Sequence, residues 1–294
     1  MPHILQKKDL EIHIDLPLEN YRFSRFDWTG KIVNVLFQNK PICGFEQQSF
    51  QDEHKIGKGF YNEFGIDNAL GFEKTELGNW FHKIGVGLLR KESPNYHFNH
   101  PYTIKPADFE IEKHKDHILI TCVGKNINGY AYILKKTISI NPDGFNIHYS
   151  LQNIGTKPII TDEYVHNFMQ LDKNLIDKNY VLNFPFQLKP NHFIETVNTE
   201  SKVIVGKNNF RFNATPEKDF FFSNLSGNET VEASWKLLNI KNNIGICEKG
   251  SFETDKINLW GWTHVISPEL FYKINLLPEQ SADWSRTYTL FNIA

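Results

Sequence analysis

His166 stands in the run Ile159-Ile-Thr-Asp-Glu-Tyr-Val-His-Asn-Phe-Met-Gln-Leu171, a strand-like stretch carrying an imidazole, an amide and two carboxylates within six positions. Period-2 alternation sends Asp162, Tyr164, His166 and Phe168 to one face and Glu163, Val165 and Asn167 to the other. An imidazole on a rigid wall beside acids suits proton transfer, although a lone histidine is more often structural. About a hundred residues later, Leu259-Trp-Gly-Trp-Thr-His-Val-Ile-Ser-Pro-Glu-Leu-Phe271 supplies Trp260, Trp262, His264 and Glu269. Indole faces stack on the C–H patches of a pyranose and a carboxylate can take a hydroxyl proton, so this combination suits a sugar. Each indole reads equally well as a core residue.

The two runs resemble strands of the galactose mutarotase (aldose 1-epimerase) superfamily. Val165-His-Asn-Phe-Met-Gln-Leu171 is similar to that family's Asn-His-x-Tyr-Phe-Asn-Leu strand, whose His is the general acid. Ser267-Pro-Glu-Leu-Phe271 is similar to the strand bearing its general base, and Leu277-Pro-Glu-Gln-Ser-Ala-Asp-Trp-Ser-Arg-Thr-Tyr-Thr-Leu290 follows at the family's usual distance. Tyr21-Arg-Phe-Ser-Arg-Phe-Asp-Trp-Thr-Gly30 and Lys83-Ile-Gly-Val-Gly-Leu-Leu-Arg90 resemble a further branch of the superfamily, so the likeness spans nearly the whole chain. It implies one large antiparallel β-sandwich over residues 1–294 that interconverts α and β anomers, with His166 as acid and Glu269 as base. It further implies that Arg90, His97 and Asn167 hold hydroxyls or the ring oxygen, that Trp260 or Trp262 stacks on the sugar, and that His264 lies among the substrate contacts. Two departures stand out. The family's Leu-His-Gly-Gly stretch has only His97 or His100 as counterpart, without the glycines, and its sugar-binding Asp has no clear match. The preferred sugar therefore stays open.

Anomer exchange needs a base at the C1 hydroxyl and an acid at the ring oxygen, with roles reversed on closure. Glu269 is expected ionised and His166 charged, held so by Asp162 or Glu163, with alternation favouring Asp162. No metal and no organic cofactor is called for. Trp260 and Glu269 differ in parity, so the strand should be interrupted near Ser267-Pro268 if both face one pocket. Alternatives are a non-catalytic carbohydrate-binding protein, since folds do not dictate function, and a hexose-phosphate 1-epimerase, for which Arg22, Arg25 and Arg90 would have to converge. A lyase using Tyr164 beside His166 is the remaining option.

The elements that must carry these residues are short strands. Glu11–Asp15, Ile32–Leu36, Phe109–Glu112, His117–Cys122, Tyr130–Leu134, Lys136–Ile140, Asn146–Leu151 and Phe271–Leu276 all alternate, and Asn128-Gly129 and Asn141-Pro-Asp-Gly144 read as turns. No amphipathic helix with caps at both ends is visible, so the chain is expected to be all-β. Pro41 to Asn99 alternates poorly and reads as long loops over a sheet face, forming one rim of a cleft.

Composition permits this. Of 294 residues, 40% are hydrophobic and 22% charged, with 24 Phe, 11 Tyr and 6 Trp, enough for a packed core. Net charge is −2 with basic residues dispersed, which excludes a nucleic-acid footprint and favours a small neutral ligand, bound by a monomer or homodimer. Only five of the 32 basic residues are arginines (22, 25, 90, 211 and 286), so each marks a place where forked hydrogen bonding matters. Cys43, Cys122 and Cys247 lack zinc-type spacing and read as small apolar residues of a reducing compartment. With no signal-peptide pattern at the start and no apolar stretch of membrane length, a cytoplasmic location is expected and no membrane partner.

Overall fold

Alternation is sharpest between His117 and Asn153. There the computed structural model, which describes residues 2–48 and 52–293, contains three long antiparallel strands, His117–Ile127, Tyr130–Asn141 and Gly144–Asn153. Asn128 and Gly129 both take positive φ, 54° and 85°, as a hairpin turn twisted to match its strands requires. These strands belong to a ten-stranded sheet. Its order is Asp108–Lys113, His117–Ile127, Tyr130–Asn141, Gly144–Asn153, Ser281–Asn292, Ile244–Thr254, Val231–Asn239, Tyr180–Asn183, Asn209–Phe212, Val203–Val205.

A seven-stranded sheet supplies the other layer, in the order His3–Lys7, Leu10–Asp15, Lys31–Phe37, Gly59–Phe64, Ile159–Phe168, Tyr272–Leu276, with Lys40–Pro41 beside Lys31–Phe37. Alternate residues of both sheets, among them Ile12, Ile32 and Phe60 from one and Ile120, Leu134 and Ile147 from the other, merge into one apolar cluster. The chain is thus an all-β antiparallel sandwich. Among the described residues there is no α-helix, only short 3-10 turns, and no helix is long and apolar enough to cross a membrane.

Two sequence readings need correction. Within the stretch read as loops, Gly59–Phe64 is a central strand of the seven-stranded sheet. All six of its residues are buried, Asn62 and Glu63 included, so both faces are covered and the alternation that marks a half-exposed strand is lost. Trp80–Lys83 and Gly87–Arg90 likewise pair, extended by Ile104–Pro106. Residues 49–51 of that stretch lie outside the described residues. The run Leu259–Phe271 is also not one strand broken at Pro268. It folds over at Thr263-His264 into the hairpin Ile257–Trp262 and Val265–Leu270, with Pro268 inside the second strand. Asn258 then opposes Glu269 and Trp260 opposes Ser267, and opposed residues of an antiparallel pair share a face, which removes the parity conflict.

Gly59 opens the central strand at φ +61°, and a Cβ there would lie 2.2 Å from the Ile32 carbonyl oxygen. Gly59→Ala is expected to lose about 2 kcal/mol or more in urea unfolding. Gly78→Ala, at φ +86° with nothing within 4 Å, should lose only about 1 kcal/mol.

Candidate active site

The strand Ile159–Phe168 pairs differently along its length. Its first half, from Ile159 to Glu163, pairs with Tyr272–Leu276, while residues 163–168 pair on the other side with Gly59–Phe64. Beyond Tyr272 the partner chain continues backward through Leu270 and Glu269, and it meets the strand again only at a single bridge between Met169 and Ile266. Glu163 opposes Tyr272 at one end and Met169 opposes Ile266 at the other. Counting inward from either end puts His166 opposite Glu269, in a stretch where the register is kept but the ladder is open. Pro268 is in this stretch and has no N–H to give to a ladder.

Across the opening, His166 Nε2 lies 3.3 Å from Glu269 Oε1, with both side chains almost fully buried. They sit on the floor of a cleft of about 540 Å³ whose walls include Arg25, Phe98, Tyr164, Lys256, Asn258, Trp260 and Phe271. The imidazole is held by rings. Phe168 stacks on it at 4.0 Å between centroids, while Trp260 at 5.1 Å and Phe26 at 6.2 Å present edges. Tyr164, two residues away on the same face, stacks on Phe271, the residue opposite it in the open stretch.

One cation dominates the field of the cleft. Arg25 lies between the rings of Phe26 and Phe98, 4.4 and 4.6 Å from their centroids. Its Nε donates to Glu63 (3.0 Å), Nη1 to Glu46 (2.8 Å) and Nη2 to the Tyr164 hydroxyl (3.3 Å). Glu63 also accepts from the Tyr164 hydroxyl at 2.7 Å and from Lys83 Nζ at 3.0 Å. Burial, reinforced by the positive charge of Arg25, pushes the His166 pKa well below its usual 6.5. Burial pushes the Glu269 carboxyl up to about 8, against the opposing pull of Arg25 and with a smaller upward push from Glu63. The contact has the geometry of an ion pair, yet burial disfavours both charges. Burial therefore favours an un-ionised carboxyl facing a neutral imidazole across this contact.

This reverses the expected charge states, for a definite reason. Asp162, expected to hold the imidazole charged, is 2.9 Å from Lys256 Nζ, and Lys256 is also 2.8 Å from Asp67. Glu163 points to the opposite face and pairs with Arg286 at 2.8 Å. The charge that His166 feels is a cation.

The other residues expected around a sugar divide into those at the cleft and those away from it. Trp260 lines the cleft. Arg90 does not: it is an exposed strand end donating to the Gly78 carbonyl, and the cleft arginine is Arg25. His97 is exposed and stacks on Phe98, while His100 is 3.4 Å from Glu92. Phe98 and Asn99 are what that loop gives to the cleft. Asn167 is fully buried on the core face, where its Nδ2 donates to the Pro268 carbonyl at 2.7 Å and its Oδ1 accepts from Tyr288 at 3.0 Å. Trp262 donates to the Glu217 carbonyl, and His264, in the hairpin turn, contacts the Phe45 carbonyl through Nε2. Arg22 and Arg90 are both exposed and outside the cleft, so the three arginines do not converge. Among the described residues, no group of three or more His, Cys, Asp or Glu is placed to hold a metal ion. Lys256, Asn258 and Tyr164 are cleft residues that spacing did not assign as contacts. Arg25 carries one signal in the sequence, the scarcity of arginine, and the structure buries it along with Arg286.

A scan against protein-family models finds no match, and a search of the curated proteins finds none. Solved structures do match. The Slr1438 protein of Synechocystis is 12% identical at a TM-score of 0.64, covering 99% of this chain and 96% of that one. A galactose mutarotase related enzyme from Lactobacillus acidophilus is 10% identical at 0.63, covering 100% and 98%. A galactose mutarotase-like protein from Lactobacillus casei is 11% identical at 0.62, covering 99% and 100%. The chain therefore has the galactose mutarotase-like fold along essentially its whole length.

The Glu269 carboxyl takes up a proton on folding between its ordinary 4.5 and about 8. A group whose folded pKa is raised contributes stability that is fully present below the lower value and is lost as pH rises through the upper one. Glu269→Gln should therefore gain stability relative to wild type across that window, by up to about 1.4 kcal/mol per pH unit, in urea titrations at successive pH values.

Proposed function

We propose that this chain is an aldose 1-epimerase-like isomerase acting on an unphosphorylated sugar. The observation that carries the reading is the placement of His166 directly opposite Glu269, at 3.3 Å, on the floor of an aromatic-walled cleft. Two groups that together hold one mobile proton are what ring opening needs. In the resting pair that proton is on the carboxyl and the imidazole is neutral, and a bound sugar's C1 hydroxyl takes the carboxyl's place at the Nε2 that faces Glu269. The imidazole takes the C1 hydroxyl proton while the Glu269 carboxyl gives its own to the ring oxygen. The C1–O bond of the ring breaks and the aldehyde forms. At that moment the pair is imidazolium and carboxylate, an ion pair at contact distance, so charge developing on the enzyme stabilises itself in a site screened from water. Rotation about C1–C2 and closure return both protons and give the other anomer.

Trp260 provides a face for the sugar's C–H surface. Charge favours a neutral ligand. Five carboxyl groups (Glu46, Asp67, Glu195, Asp219, Glu269) face two cations, and both cations are already paired with carboxylates. A phosphate would have to displace these pairs, which disfavours the hexose-phosphate reading.

Polarimetry of freshly dissolved α-D-glucose and α-D-galactose tests this. Wild type should accelerate mutarotation, and His166→Ala and Glu269→Gln should each lower the catalysed rate by about 10²–10⁴-fold. Glucose 6-phosphate should be the poorer substrate, and the reverse preference would overturn the charge argument. The rate should fall as pH rises through about 8, where Glu269 loses its proton, and again on an acid limb below 6.5, where the imidazole becomes charged. A folded wild-type protein that accelerates none of these sugars contradicts the reading and leaves a binding role.

A further inference from the structure

His166 and Glu269 belong to strands of different sheets, and where they face each other no ladder holds the strands together. Something else must fix their separation. The carbonyls on either side of Glu269 are both captured from beneath, on the core face. Asn167 Nδ2 donates to the Pro268 oxygen at 2.7 Å, and Arg286 Nη2 donates to the Leu270 oxygen at 2.8 Å. Across the gap, the backbone N–H of Asn167 donates to Ser267 Oγ at 2.9 Å, standing in for a ladder bond. The capturing groups are anchored in turn. Arg286 donates through Nη1 to Glu248 (2.7 Å) and through Nη2 to Glu163 (2.8 Å), and Asn167 also reaches Glu248 at 3.2 Å. All of these side chains are fully buried.

We propose that Asn167, Ser267 and Arg286 are positioning residues that hold the ladder open at a fixed width and thereby set the distance between the two reacting side chains. Closing the gap into regular pairing is blocked by Pro268, and widening it breaks the three captures. None of the three touches the cleft, so none is a catalytic residue. The neighbour of each catalytic group does the holding: Asn167 follows His166, and Pro268 and Leu270 flank Glu269. The proposal rests on the epimerase reading only for its kinetic readout.

The test uses Ser267→Ala, Asn167→Leu and Arg286→Lys, with Trp235→Phe as control. Trp235 donates to the same Glu248 carboxylate at 2.7 Å but reaches no carbonyl beside Glu269. In polarimetric assays the three clamp variants should lower kcat by about tenfold or more with KM changed by less than about twofold, since misplacement of reacting groups by a fraction of an ångström is costly. Trp235→Phe should leave kcat within about twofold. Ser267→Ala removes one hydroxyl and keeps the test open if the larger changes fail to fold. An activity-independent readout separates this inference from the functional one. The titration midpoint of the Glu269 carboxyl, followed by carbon-13 NMR, should move in the clamp variants and stay in Trp235→Phe. Folded clamp variants with unchanged kcat and midpoint, or an equal loss of kcat in Trp235→Phe, would overturn the proposal.

Discussion

Two carboxylates, Glu163 and Glu248, are completely buried between the sheets, and the guanidinium of Arg286 lies between them. Much else depends on this triad. A buried ion must be paired and well hydrogen-bonded to be tolerable, and removing one partner leaves a charge that costs several kcal/mol. Here further carboxylate lone pairs are filled by the indole N–H groups of Trp284 and Trp235 and by Asn62, while Arg286 Nε is the one donor of the triad left without a partner among the described residues. Burial works against the Arg286 charge, but Glu163 and Glu248 outweigh it and hold the guanidinium firmly protonated. The triad ties the strand Ser281–Asn292 of one sheet to Ile159–Phe168 of the other, and through Leu270 to the chain beside Glu269.

The cleft face of that strand carries a second ionic cluster with a different task. Arg25, Glu63 and Lys83 are paired on the neighbouring strand and loop, with Tyr164 bonded into them. Burial keeps the imidazole neutral and the Glu269 proton in place, and Arg25, the cation of this cluster, adds to the first effect. One strand therefore has its reverse face devoted to position and its front face to protonation state. His166 and Asn167, adjacent in sequence, serve the two faces.

How much of this was legible beforehand follows from what each signal measures. Alternation reports a strand with one wet face, so the hairpins from His117 to Leu151 are legible and the fully buried Gly59–Phe64 is not. The His166 and Glu269 runs both stand out in the sequence for their chemistry. That they are opposed across an open ladder was not visible, because strand pairing between residues a hundred apart leaves no local trace. Arg90 stands in a family-like segment yet lies on the surface, whereas Arg25 and Arg286 make the forked bonds that justify a scarce arginine. Asn167 was placed at a sugar although alternation itself put it on the face opposite His166. The protonation states could not be read from spacing at all, since Asp162 is engaged by Lys256, a residue 94 positions away.

The central claim is that His166 and Glu269 form a buried pair sharing one proton, with the carboxyl as its resting holder. Nitrogen-15 NMR of the His166 ring in the folded protein tests it most directly. At pH 7 the account predicts two unlike ring nitrogens, the pattern of a neutral imidazole, with a change as Glu269 titrates near pH 8. Two alike, protonated nitrogens at pH 7 would show an imidazolium beside a carboxylate and would contradict it.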